Sequence, residues 1–332
     1  MLDKNFIMPA KADPMKILLV TPAVAGSRKG NRVTALRWAR VLRTLGHRVV
    51  ISQSYRSQFC DVLIALHARR SFPSISRYHQ QRPAAPLIVV LTGTDLYHDI
   101  HRSKQAQQSL LFATHLVTLQ DHGIHELPRH VHSKVRVIYQ SASPPGGRIT
   151  KIKRSFQVCV SGHLRPVKDP FRTALAVRDL PSSSRIRVVH LGAALSQEMA
   201  QRARKEEKRN QRYRWLGELP AWRARQTIAR SRLFVVSSTM EGCPNVASEA
   251  LASEIPMLST KISGMIGLLG PDYSGYFPVG DSTELTKLLL KAEQSPDFYR
   301  SLQKECRQVK PKVLPRNERK RWKSLLQEIA AY

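Results

Sequence analysis

One rhythm constrains this chain more than any other feature. A short unbroken apolar run leads into a glycine-bearing loop, then an amphipathic helix, then another apolar run. Met15–Thr21 (MKILLVT) is the first such run. Its lack of alternation suits a strand buried on both faces, as in a parallel sheet. The turn-rich stretch Pro22–Gly30 follows. Ala35, Trp38, Ala39, Leu42 and Leu45 then fall on one face of a helix over about 31–45, and Gly46 ends it. Arg48–Ser52 is the next strand, and a strand–helix–strand unit implies parallel pairing.

The rhythm continues through Val62–Leu66, Leu87–Leu91, Leu116–Leu119 and Val135–Ile138. It breaks at Ser143-Pro-Pro-Gly-Gly-Arg148 and the basic Lys151–Arg154, which together read as an interdomain linker. It then restarts with strands at Phe156–Val160, Arg187–Leu191, Tyr213–Leu216, Leu233–Ser237 and Met257–Ser259. The expected class is α/β, with two doubly wound Rossmann-like domains. Residues 1–14 are expected to be a flexible extension, 15–150 the first domain and 151–317 the second. A chain of 332 residues suits two domains of roughly 150 each. A last helix over about 318–331 carries Trp322, Leu325, Leu326 and Ile329 on one face, which must dock somewhere.

Charge and cysteine use narrow the setting. Fifty-four Lys and Arg against 24 Asp and Glu give +30, so the chain attracts polyanions: nucleic acid, an anionic membrane surface or phosphorylated substrates. Cys60, Cys159, Cys243 and Cys306 stand alone, which fits a reducing cytoplasm and argues against a disulfide frame or zinc ribbon. No apolar run approaches the roughly 18 residues of a membrane helix, and the first fourteen residues lack a long apolar run, so no secretory signal is expected. Cytoplasmic placement is therefore expected. No metal is expected to be held by the protein, since no dense Asp/Glu/His cluster has ligand spacing.

Two motifs carry the chemistry. Glu241-Gly-Cys-Pro-Asn-Val-Ala-Ser-Glu249 follows a strand and opens a helix at about Val246, the place where open α/β sheets bind ligands. Backbone N–H groups of Asn245, Val246 and Ala247 can hold phosphate or sugar oxygens there. Glu241 and Glu249 flank that helix start and can accept bonds from two sets of hydroxyls. The plainer reading is that the acids merely complement the helix dipole. The second motif, Gly162-His-Leu-Arg-Pro-Val-Lys168, offers a glycine-started loop with two cations at a strand's carboxyl end, enough to neutralise a diphosphate.

These two motifs together resemble the retaining GT-B glycosyltransferases of family 4, over essentially the whole chain from Met15. The resemblance implies a GT-B fold with a nucleotide-sugar between the domains, and a last helix, Trp322–Ile329 included, that crosses back to dock on the first domain. It implies that Glu241, with Gly242 beside it, meets the donor sugar hydroxyls and Glu249 the ribose. Lys168 sits where the family grips the diphosphate. The usual arginine after the glycine is His163 here, and Arg165 is expected to replace it. Leu216, Gly217 and Leu219 match the loop near the uracil.

Further blocks, Gly26-Ser-Arg-Lys-Gly-Asn-Arg32, Leu66-His-Ala-Arg-Arg-Ser71, Leu91-Thr-Gly-Thr-Asp-Leu96, Val137-Ile-Tyr-Gln-Ser141 and Gly275-Tyr-Phe-Pro-Val-Gly280, resemble the selenosugar synthases of selenoneine biosynthesis. That resemblance implies transfer of glucose or N-acetylglucosamine from its UDP-sugar to selenophosphate, forming a C–Se bond, with the UDP-sugar as co-substrate and no bound cofactor. A small, highly charged acceptor needs cations and backbone donors. The candidates are Gly26, Arg28, Lys29, Gly30, Asn31, Arg32, His67, Arg69, Arg70, Thr92, Thr94 and Asp95. His67 is expected to contact donor or acceptor and not to act as a general base.

Other classes stay open at this point. A family 4 enzyme acting on a lipid or polysaccharide at the membrane suits the +30 charge. No long apolar-faced anchoring helix stands near the acceptor loops. A nucleic-acid-binding protein also suits the charge, yet no RRM, zinc-finger or KH signature appears, so no specific nucleic acid is expected. A non-catalytic sugar-nucleotide binder is opposed by the presence of Glu241, Glu249 and Lys168.

Overall fold

The structure is a computed structural model that describes residues 13–27 and 30–331. Most of the expected extension and two candidate acceptor residues, Arg28 and Lys29, lie outside the described residues.

The apolar runs form two parallel sheets. In the first, β1 (Lys16–Val20), β2 (Arg48–Ser52), β3 (Val62–Leu66), β4 (Leu87–Leu91), β5 (His115–Thr118) and β6 (Val135–Val137) lie in the order β2-β1-β3-β4-β5-β6. In the second, β7 (Phe156–Ser161), β8 (Ile186–Leu191), β9 (Tyr213–Trp215), β10 (Leu233–Val236), β11 (Met257–Thr260) and β12 (Tyr276–Phe277) lie in the order β12-β11-β10-β7-β8-β9. Every pairing is parallel. In each sheet the order reverses at the first strand, which makes two doubly wound α/β domains.

Parallel strands need cover on both faces, and the residues alternate to meet two covers. Ile17, Leu19, Ile64, Leu66, Ile88 and Val90 join a core that runs on into the second domain. Leu18, Val20, Leu63, Ala65, Val89 and Leu91 join a separate core with Ile75, Tyr78, Ala106 and Leu110 on the other face.

Four helices bear on the site: α1 (Gly30–Thr44), α2 (Asn245–Ala252), α3 (Ser263–Leu269) and α4 (Pro315–Ala330). Helix α1 buries Thr34, Ala35, Trp38, Ala39 and Leu42, and α4 buries Glu318, Trp322, Leu325, Leu326 and Ile329. The two helices meet where Trp38 and Trp322 pack edge to face, ring centroids 4.8 Å apart. The chain's last helix therefore packs on the first domain, after the second sheet is complete. Among the described residues no helix is long and apolar enough to cross a membrane.

Candidate active site

The site grows from the adjacency of β7 and β10. Side-by-side parallel strands bring their carboxyl-end loops together, so the Gly162–Lys168 loop meets the Ser237–Glu241 loop. The Ser237 hydroxyl donates to the carbonyls of Lys168 (3.2 Å) and Asp169 (3.0 Å), and the Thr239 N–H donates to Val167 at 2.9 Å. The two loops are thus one platform. On it the Lys168 ammonium pairs with Glu241, and the Ser238 hydroxyl donates to the same Glu241 oxygen at 2.5 Å. Gly162, Lys168, Ser238, Glu241, Pro244 and Val246 line one concave pocket.

Helix α2 opens beside this platform at Asn245, with Pro244 as its cap. The first-turn N–H groups of a helix lack partners inside it, which leaves the amides of Asn245 and Val246 for a ligand. Ala247 departs from expectation: its N–H already donates to Pro244 at 3.0 Å. Glu249 lies one turn in. Burial pushes its carboxyl up to about 7, against the pull of Arg225 and Arg37. His190 forms the floor, its pKa pushed down to about 4 by burial, so it is neutral at pH 7. Its Nε2 lies 3.3 Å from the Gly162 carbonyl, which can only accept, so Nε2 carries the proton and Nδ1 accepts from the Tyr213 hydroxyl at 3.0 Å.

The other donor-side candidates divide. His163 accepts from the Ala193 N–H through Nδ1 at 3.2 Å, pinning the loop to the end of β8. Arg165 is exposed and stands outside the residues that line the pocket, so Lys168 is the loop cation that lines it. Leu216, Gly217 and Leu219 follow β9. The Leu216 N–H donates to His190, and Gly217 at φ +66° accepts from the Gly192 N–H at 2.7 Å.

In the first domain the loops after β3 and β4 meet across a buried carboxylate. Asp95 has no exposure and accepts from the N–H groups of Ala68, Thr92 and Gly93 and from the Thr92 hydroxyl, all within 3.0 Å. The expected acceptor contact is corrected for this residue: its oxygens face the loop backbone, and it braces. His67 is buried too, at φ +78°, with Nδ1 4.0 Å from Asp95 and Nε2 3.9 Å from Asp99. Burial lowers its pKa, outweighing the nearby carboxylates. Arg69 is exposed and donates to Asp99 at 2.8 Å, Arg70 and Thr94 are exposed too, and Thr92 is half-buried. Gly26 and Gly30 are exposed, and Asn31 and Arg32 are half-buried at the start of α1.

The domains touch at the site itself. A Cβ on Gly242 would lie 1.8 Å from the Thr92 carbonyl oxygen, so only glycine permits this approach. Three participants carry no motif: Ser238, Asp99 and Arg37. Ser238 was reachable as a polar residue at a strand's carboxyl end. Among the described residues no group of three or more His, Cys, Asp or Glu gathers to hold a metal ion.

Residues 148–309 match the family described as Glycosyl transferases group 1. The chain is 23% identical over 254 residues to the Bacillus subtilis (strain 168) protein named as teichuronic acid biosynthesis glycosyltransferase TuaC, a stretch covering 71% of this chain and 62% of that protein. The match thus spans less than two thirds of that relative's length. Anabaena HepE, solved in complex with UDP and glucose, superposes with a TM-score of 0.73 at 15% identity, covering 95% of this chain and 100% of HepE. Sucrose-phosphate synthase of Thermosynechococcus elongatus superposes at 0.74 with 14% identity, over 95% and 99% of the two chains. Likeness at such identities shows the fold, and the fold is GT-B.

Proposed function

We propose, from the match of residues 148–309 to the glycosyl transferases group 1 family, that the chain moves a sugar from a UDP-sugar to a small anionic acceptor. The carrying observation is the Lys168–Glu241–Ser238 set at the mouth of β7 and β10, beside the free amides of α2. HepE has been solved with UDP and glucose and, in another complex, with UDP-glucose. In this chain Lys168 and the amides of Asn245 and Val246 would hold the diphosphate. Glu241 would accept from the sugar hydroxyls, and Glu249 from the ribose.

The reading extends to glucose or N-acetylglucosamine as the sugar and selenophosphate as the acceptor. A selenium lone pair forms the C1–Se bond while the bond from C1 to the diphosphate oxygen breaks, and that electron pair leaves with UDP. Ionised selenium needs no protein base, so the protein's work is positioning and holding the leaving charge. Exposed Arg69 and Arg70 beside the Thr92 loop supply cations for a small trianion-like acceptor.

The test is anaerobic incubation of the protein with UDP-N-acetylglucosamine or UDP-glucose, with and without selenophosphate, reading UDP release and product mass. UDP release that requires selenophosphate, with a selenium isotope pattern in the sugar product, is the expected result. UDP-sugar binding without a selenium product would keep the transferase and move the acceptor to a lipid or carbohydrate.

A further inference from the structure

Arg37 belongs to none of the motifs, yet its side chain joins both domains. It sits in the middle of α1. Its Nε donates to Glu318 at 3.1 Å, its Nη2 to Gln140 at 2.9 Å, and its Nη1 to the Asn245 side-chain oxygen at 2.6 Å. Asn245 is the first residue of α2. Three acceptors in three directions suit the fixed fork of a guanidinium and no other side chain.

The anchor of this fork is Glu318 on α4, whose side chain has no exposure. It also accepts from the Trp38 indole at 2.7 Å and from the Ser141 hydroxyl. A buried carboxylate held this fully does not shift, so it fixes where Arg37 can point. One turn earlier, Thr34 donates to Gln140 at 3.0 Å and accepts from Asn245 at 3.5 Å. Gln140 in turn donates to the Cys243 carbonyl at 3.3 Å. The start of α2 and the loop before it are therefore held from the first domain.

The domains have other ties. The Tyr139 hydroxyl and the Lys312 ammonium both donate to the Gly267 carbonyl on α3, at 2.8 and 3.2 Å. Neither of those two hydrogen bonds ends on α2. Taken with the donor reading above, on which this rests, we infer that Arg37 is a positioning residue: it sets the amides of Asn245 and Val246, and the loop carrying Glu241, against the Thr92 side of the cleft.

The experiment compares the full chain with Arg37→Gln, Arg37→Lys and Thr34→Val by amide hydrogen exchange and by calorimetry with UDP as the probe. Lysine keeps a charge for Glu318 but cannot reach Gln140 and Asn245 at once. Arg37→Gln and Arg37→Lys are expected to speed exchange across residues 243–248 and to raise the UDP Kd, each by about tenfold, the scale of a lost charged hydrogen bond. Exchange in β7 and β10 stays as in the parent. Thr34→Val gives the same pattern more weakly. A merely structural role would lower Tm without moving Kd or the 243–248 exchange in Arg37→Lys, and that result overturns the inference even if Arg37→Gln misfolds. Absence of UDP binding by the parent chain overturns the donor reading and the positioning role with it; faster 243–248 exchange with unchanged Kd overturns the positioning role alone.

Discussion

The two domains build their cleft loops by opposite means. In the second, the candidate site groups bind one another: Lys168 pairs with Glu241, Ser238 joins them, and neighbouring strands of one sheet set the spacing. In the first, the groups that order the loops are buried, while the exposed cations hang from them. Asp95 spends its oxygens on three backbone amides and a hydroxyl, Asp99 holds Arg69, and Arg70 is left to solvent. The second-domain side of the cleft is thus a preassembled cluster. The first-domain side is a braced frame that presents exposed charge.

This contrast can be broken by substitution. Lys168→Ala and Glu241→Ala should each lower turnover by about 10²–10³-fold with little change in Tm, the scale of one lost transition-state contact. Full turnover by Glu241→Ala would remove that residue from the donor site. Asp95→Ala should act on the other property: a loss of roughly 2–4 kcal/mol in urea unfolding, because several buried donors lose their acceptor together. A raised acceptor KM with an unchanged unfolding midpoint would instead make Asp95 a contact and erase the contrast. The Arg69→Ala, Arg70→Ala pair should raise the acceptor KM about tenfold and leave UDP binding alone. An unmoved acceptor KM would take both arginines out of the acceptor site.

The smallest effect sharpens the donor side. The Glu249 carboxyl is pushed up to about 7 by burial, so its neutral form is favoured in the folded state. Its contribution to stability is therefore present below the ordinary carboxylate range and lost as pH rises through about 7. Ribose hydroxyls donate to the ionised form. UDP affinity should accordingly rise a few-fold between about pH 6 and 8, with proton release on binding at the acid end. Glu249→Gln should flatten that added dependence, and an identical profile in the variant would detach Glu249 from the nucleotide.

Much of this fold is legible in the sequence because parallel strands leave a local trace. A run such as Val62–Leu66 is buried at every position, and nothing but a two-sided cover produces that. β12 left almost none, since two residues, Tyr276 and Phe277, make no pattern. The donor cluster was legible because its parts flank strand ends at fixed short spacing. Helix α4 shows its apolar face by spacing alone, but the expectation of where it goes came from the resemblance. Asp95 reads as a candidate acceptor contact until its partners are known, and most of those partners are backbone amides that every residue type supplies. Arg37 is harder still, because its acceptors lie 103, 208 and 281 positions away and impose no local spacing.

The return of α4 has a consequence for how the chain is made. Trp38 emerges early in synthesis, but its indole N–H waits for an acceptor 280 residues later, and its ring waits for Trp322. Until then the first domain has an uncovered apolar flank, a surface of the kind that invites aggregation. The domain translated first is therefore finished last, and the two cannot be exchanged between relatives as separate cassettes unless the final helix travels with the first.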